Sequence, residues 1–395
     1  MIWPMLIKNK CFCVVLSVLF IIQLSGCGDS DEDLFKPAEL VSFDSSIELR
    51  TLWKRSVGKG INDQDIILHP VIAGSLLYVI DQKGLLLTLD KKTGEVLAKK
   101  KTGYAVSAGL ATDLTRLFLA TWNGDLVCLD LEGKELWKVS LASEMLVPPV
   151  IEGDLLVAQT TDGKIHGLSV QNGKQNWLFD SVQPALTLRG TGAPLLLGGK
   201  VLAGLANGKV VALDASNGMR AWERQVAIPE GHSEIERLVD VKGRLLVNGW
   251  RCYGVSYQGK VFALDIRSGA LLWQEDFSSL NSVSFDSGKL FLSDSHGAVV
   301  SFDATSGALL WRQEKLSHRG LTSPMIDGNA LVVGDAQGYL HWLSLKDGAF
   351  MARVKVGGDG IAAPALVNSG IVYVYGKSGK LAAYSRESAR EVSSP

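Results

Sequence analysis

From about residue 70 to the end of the chain, apolar and polar positions alternate in short runs separated by glycine-bearing turns. Residues 193–226, APLLLGGKVLAGLANGKVVALDASNGMRAWERQV, show one full unit. It divides into LLL, VLAGLA, KVVALD and MRAWERQV, with GGK, NG and ASNG between them. Asn-Gly between alternating runs marks a tight hairpin, because that turn needs positive φ at its central residues. No run is long enough, or has the right period, for an amphipathic helix. Each unit therefore predicts a four-stranded antiparallel meander.

The unit recurs eight times. Its first glycines are Gly84, Gly124, Gly163, Gly208, Gly259, Gly297, Gly338 and Gly379, spaced 40, 39, 45, 51, 38, 41 and 41 residues apart. A second glycine follows nine or ten residues later in seven copies, from Gly94 to Gly348. Four residues beyond it, five copies carry Trp137, Trp177, Trp222, Trp273 or Trp311. A period near 40 residues built only of strands and turns predicts an all-β, eight-bladed β-propeller. The last unit stops after LAAYS (381–385), one strand short, while ELRTLWKRSV (48–57) reads as an unassigned outer strand carrying Trp53. Pairing the two closes the ring and removes the exposed edges that an open one would leave. The ring is thus expected over 49–385, with a polar tail at 386–395.

The first 26 residues do not fit the repeat. Lys8 and Lys10 precede a 14-residue apolar run, CFCVVLSVLFIIQL, which is the layout of a secretory signal. That run is shorter than the roughly 20 residues needed to cross a bilayer. It ends in Leu24-Ser25-Gly26-Cys27, which resembles a bacterial lipobox and implies lipidation of Cys27 after removal of 1–26. Residues 27–48, with the acidic run Asp29–Asp33 (DSDED), then read as a lipidated tether. Gly28 in place of an aspartate points, by the rule for such lipoproteins, to the periplasmic face of the outer membrane. Formal charge is −1, and −3 without Lys8 and Lys10 (38 − 41), so no nucleic-acid partner is expected. Beyond Cys27 only Cys128 and Cys252 remain, in blades too far apart for a disulfide, and both are expected as buried thiols.

The phrases ALDASNGMRAW, ALDIRSGALLW and SFDATSGALLW resemble the quinoprotein-type (PQQ) propeller repeat. That resemblance implies tryptophans docked between blades, and opens an alternative function as a periplasmic PQQ-dependent dehydrogenase. The residues argue against it. The mature chain has no adjacent cysteine pair, and Asp90, Asp130, Asp214, Asp265 and Asp303 recur at one repeat position. Repetition suits a turn-forming aspartate better than a single catalytic base. The six histidines show no metal spacing. Neither catalysis, nor a cofactor, nor a metal is expected, and the tryptophans, Trp53 included, are assigned structural roles.

Function in a repeat protein tends to lie where the repeat is interrupted. The two longest spacings are adjacent and place FDSVQPALTLRGTGAP (179–194) beside VAIPEGHSEIERLVDVKG (226–243). Leu186 and Leu188 next to Arg189, facing Glu234, Glu236 and Asp240, suit a protein interface. They equally suit a cap on the blade core, with Arg189 paired to a nearby acid. Signal, lipobox, eight such blades, LTLRG and EIERLVDV together resemble the BamB family, lipoproteins of the outer-membrane β-barrel assembly (BAM) machinery. The resemblance implies that Leu186, Leu188, Arg189 and Asp240 bind the periplasmic domains of the central barrel protein, BamA. The family's second acid is replaced by Lys242, which shifts that role towards Glu236. It further implies contact with the other BAM lipoproteins and with unfolded outer-membrane proteins. A generic interaction propeller with another partner is the remaining alternative.

Overall fold

The computed structural model describes residues 36–61, 66–189 and 192–387. The signal segment 1–26, Cys27, the acidic run and most of the polar tail lie outside the described residues. All the regular structure described is β: eight four-stranded antiparallel sheets arranged in a ring. Seven blades are consecutive, at residues 71–101, 111–140, 150–180, 195–225, 246–276, 284–313 and 325–355. The eighth combines Leu366–Asn368, Ile371–Tyr375 and Lys380–Arg386 with the N-terminal Leu49–Ser56 as its outer strand. Leu49 pairs with Arg386 and Ser56 with Lys380, so the two ends of the chain close the ring as expected.

In blade 4 the second and third strands are almost wholly buried and the outer strand is mostly exposed, a pattern the other blades share except blade 7, whose outer strand Phe350–Lys355 is largely covered. The repeated glycines have distinct jobs. Gly208 sits at φ +75° in the turn between second and third strands, and its carbonyl accepts the N–H of Val226 as the outer strand ends. Gly84 and Thr102, Gly124 and Leu141, Gly338 and Val356, and Gly379 and Val57 repeat that bond. Turns between strands two and three therefore share one face of the ring with the loops joining consecutive blades.

The second glycine is a landing for tryptophan in six of the seven copies; Gly133 meets Leu86 and Lys100 instead, since blade 1 has Ala98 at the tryptophan position. A Cβ on Gly218 would lie 2.6 Å from Cε3 of Trp177, and Gly269 stands in the same relation to Trp222. Each indole also donates to a carbonyl of the following blade: Trp53 to Lys91, Trp137 to Val170, Trp177 to Ala215, Trp222 to Ile266, Trp273 to Ala304 and Trp311 to Leu345. The apolar ring body fills the gap between sheets while its one polar atom is satisfied. Blade 7 has Ala352 at this position and is joined to blade 8 differently, by Arg386 against buried Asp327 at 3.2 Å and by Trp342 edge-on to Tyr384. The repeated aspartates fold their own turns: Asp303 Oδ1 accepts the N–H groups of Thr305 and Ser306, and Asp90 those of Lys92 and Thr93. Cys128 and Cys252 are buried and free.

Residues 38–47, ahead of the first strand, lie along blade 7. Ala38 N–H donates to Ser317 O, and the carbonyls of Ala38 and Val41 accept from Arg319 and Arg353. Phe43 stacks on Phe350 with centroids 5.2 Å apart, and Ser46 N–H donates to Met351 O. Arg353 Nε donates in turn to His341 Nδ1, whose Nε2 faces Asp335 at 3.0 Å.

Candidate partner-binding face

The two long loops meet on the face that carries the glycine turns. Asn207 Nδ2, in a turn of blade 4, donates to Val182 O of the first loop, and Val241 N–H of the second donates to Leu205 O. The loops also touch each other. A Cβ on Gly192 would lie 2.6 Å from the carbonyl oxygens of both Lys242 and Gly243. Leu188 N–H donates to Asp240 Oδ1 at 3.0 Å.

That bond corrects the reading of Asp240 as a surface acid. The residue is 1% exposed, and burial raises its carboxyl above the usual range despite the Leu188 N–H and nearby Lys242. Its Oδ2 is buried with no hydrogen-bond partner among the described residues. Asp240 is a strut between the loops and offers no surface to another protein.

Arg189 is held outward. Its backbone is at φ 47°, its N–H donates to Thr187 Oγ1, and its side chain is 67% exposed. The guanidinium pairs with Glu144 at 2.8 Å and lies 5.9 Å from the ring centroid of Trp122. Burial alone would raise the Glu144 carboxyl; hydrogen bonds from Arg189, from its own backbone N–H and from Thr161, with the Arg189 charge, together hold the group below its ordinary value. Glu144 and Trp122 belong to the loop after blade 2 and to a turn within it. Ordinary repeat spacing there gave no sign of either.

Among the described residues, Arg189 pairs with Glu144 and not with Glu236. Glu236 Oε2 accepts the N–H groups of His232 and Ser233, while Ser233 Oγ accepts the N–H of Glu236. This reciprocal Ser-x-x-Glu cap was present in the sequence as SEIE. The two N–H groups hold the Glu236 carboxyl below its usual value. The capped turn presents Ile235 to solvent; Ile228 and Val182 are also exposed, and Leu186 is 41% exposed. Leu188 is half-buried. The two loops thus expose several apolar side chains and the Arg189 cation, and a buried acid ties the loops together. Among the described residues no group of histidine, cysteine or acidic side chains is placed to hold a metal ion.

The sequence profile of the family described as "Outer membrane protein assembly factor BamB" matches residues 89–313 and 295–392. The chain belongs to the BamB family. A protein of that name from Pseudomonas aeruginosa is 42% identical over 364 residues, covering 92% of this chain and 96% of the relative. The one from Escherichia coli is 30% identical, covering 93% and 97%. The crystal structure of BamB from Moraxella catarrhalis superposes with a TM-score of 0.78 at 27% identity, over 86% of this chain and all of that one. A quinohemoprotein alcohol dehydrogenase from Comamonas testosteroni superposes at 0.69 with 14% identity, which shows the shared fold alone. BamB relatives are assembly factors, so in this family the quinoprotein-like ring is a scaffold and not an enzyme.

Proposed function

We propose that this BamB-family chain is a lipid-anchored scaffold of the outer-membrane protein assembly machinery, facing the periplasm. It binds the periplasmic domains of the central barrel protein, BamA, through Leu186 and Arg189, with exposed Ile235 of the second loop as a further contact. The observation that supports this reading is the Asp240 strut: a buried acid spans 52 residues of sequence to hold an exposed leucine and arginine in place. The Arg189–Glu144 pair would suit a cap as well; the exposure of Leu186 beside Arg189 is what favours an interface. Asp240 and half-buried Leu188 act by positioning, and Glu236 by shaping the turn that carries Ile235. Contacts with the other lipoproteins and with unfolded barrel proteins follow from membership of the same assembly.

The test is co-purification from native membranes in mild detergent, wild type beside Leu186→Ala/Arg189→Ala. A large β-barrel protein accompanying only the wild type is the expected result. A barrel retained by both would move the interface elsewhere on the ring, and none with either would remove the assembly role.

A further inference from the structure

One residue of each blade stands two places ahead of its first strand, the strand nearest the axis, so that eight residues share one level of the ring. Blade 1 has His69 there and blade 5 has Arg244; the other six are Gly109, Pro148, Ala193, Ser282, Ser323 and Pro364. The level holds one permanent cation, one histidine and no carboxylate. Arg244 is tied to the wall by its backbone N–H, which donates to Ser282 Oγ at 3.0 Å, and the residue is exposed to solvent. Among the described residues its guanidinium forms neither an ion pair nor a hydrogen bond. Blades 1 and 5 are four apart in a ring of eight, so they face each other across its axis. The Arg244 charge nevertheless reaches His69. Burial lowers the pKa of His69 to about 4, and Arg244 adds to this against the opposing bond to Pro364 O. Such an effect falls off with distance, so the guanidinium projects from blade 5 into the central channel that a propeller encloses. Surrounding protein also lowers the Arg244 pKa, as fits a cation that water reaches only within a channel.

We infer that this level of the channel is a binding site for a single carboxylate, held by Arg244 and bordered by His69. A guanidinium offers two parallel N–H donors in the geometry a carboxylate accepts. One cation on a level without acids balances one negative charge, which a dianion would exceed. Partial removal from water strengthens the attraction. Neutral His69 adds no second positive charge, and its ring N–H is already given to Pro364 O. The carboxylate is either that of a small free acid or the end of an extended chain, and the two share the same recognition. The site is separate from the 186–189 loop and depends on neither the partner nor the lipid anchor. Asp63 and Asp65 precede His69 in sequence and lie outside the described residues, so the test includes a variant of both.

The experiment titrates the chain from residue 27, with Cys27→Ser so that no acyl group is present, near neutral pH in a carboxylate-free buffer. The probes are acetate, N-acetyl-trialanine and the C-terminal amide of that peptide. Calorimetry reads the affinity, and the NMR shift of the His69 ring, assigned with His69→Gln, reports the place. Saturable binding of the acids with movement of the His69 signal, and none of the amide, is expected. Arg244→Gln should lower the affinity about tenfold or more at an unchanged melting temperature, and Arg244→Lys should keep part of it. Arg220→Gln makes the same charge change on the outer strand of blade 4 and should bind as wild type. Acetate binding at least as well as the peptide acid would identify small free acids as the ligand; tighter binding of the peptide acid would identify a chain end. No binding of either acid, equal binding of the amide, or an affinity unchanged in Arg244→Gln would overturn the inference. Binding that appears only in Asp63→Asn/Asp65→Asn would overturn it too, since the chain's own carboxylate would then fill the channel.

Discussion

Leu188 and Asp240 are 52 residues apart, and one hydrogen bond of 3.0 Å from the Leu188 amide to a buried carboxylate ties their loops together. Removing the acceptor strands a half-buried N–H. Asp240→Ala should therefore cost about 1–3 kcal/mol of stability and also loosen Arg189. Asp240→Asn keeps the acceptor and removes the charge that burial disfavours. Because the folded carboxyl is raised, the unfolded chain gives up its proton first as pH rises, and stability falls through that window. Urea titrations should find Asp240→Asn level with wild type in acid and at least as stable at neutral pH. An asparagine variant less stable at neutral pH than in acid, relative to wild type, would contradict this.

Arg189 separates binding from folding. Its ion pair with Glu144 is exposed, and such pairs contribute about 0–1 kcal/mol. Its backbone lies in the left-handed region, which glycine adopts without strain. Arg189→Gly should hold or slightly raise the melting temperature while weakening capture of the barrel protein. Loss of stability and of capture in proportion would make Arg189 a structural residue.

Tryptophan docking is the counterpart on the structural side. Trp177 is buried, bonded to Ala215 O, and seated on Gly218. Trp177→Ala should cost about 3–5 kcal/mol, and half-buried Trp222→Ala less. Gly218→Ala should also destabilise, since it places a methyl into the Trp177 ring at φ +71°. Thermal unfolding of the three variants checks the order. If Gly218→Ala were silent, the close approach would have no energetic weight.

The glycine turns, the docking tryptophans and the paired ends were legible because each repeats a local rule that the sequence shows eight, six or two times over. The Asp90 and Asp303 turns were legible for the same reason. Asp240 was misread because its role depends on Leu188, and nothing in EIERLVDV says which acid points inward. Glu144 was missed because its blade has ordinary length; only the fold brings blade 2 beside Arg189. The Ser233–Glu236 cap is present in the sequence as SEIE, where the charge of Glu236 suggests a contact surface and its spacing from Ser233 the cap that forms. The course of residues 38–47 along blade 7 has no sequence period at all, since it rests on backbone carbonyls that accept from Arg319 and Arg353.

That segment should be acid-sensitive. Burial lowers the pKa of His341 below 6.5, and the charges of Arg353 and Arg319 add to this, against the opposing pull of Asp335. Neutral His341 accepts from Arg353 at Nδ1, and Arg353 in turn holds Val41 O and lies over Phe43 at 4.9 Å. With the folded pKa depressed, an opened state takes up the proton first. The stability His341 contributes is complete above about 6.5 and is lost as pH falls towards its folded value. Protonation would abolish the acceptor and set two cations side by side. His296 and His318, 6.3 Å apart beside the Ser317 contact, also lie near this segment and need their own control. Hydrogen exchange at the Ser46 amide, bonded to Met351 O, reads the opening directly. After correction for intrinsic rates, exchange should accelerate between about pH 7 and about pH 5 in wild type and in His296→Gln/His318→Gln. In His341→Gln it should be insensitive to pH over that range, and in Arg353→Ala it should be fast throughout. A wild-type rate that does not change with pH, or a dependence that survives in His341→Gln, would place the control of this segment elsewhere than the Arg353–His341 bond.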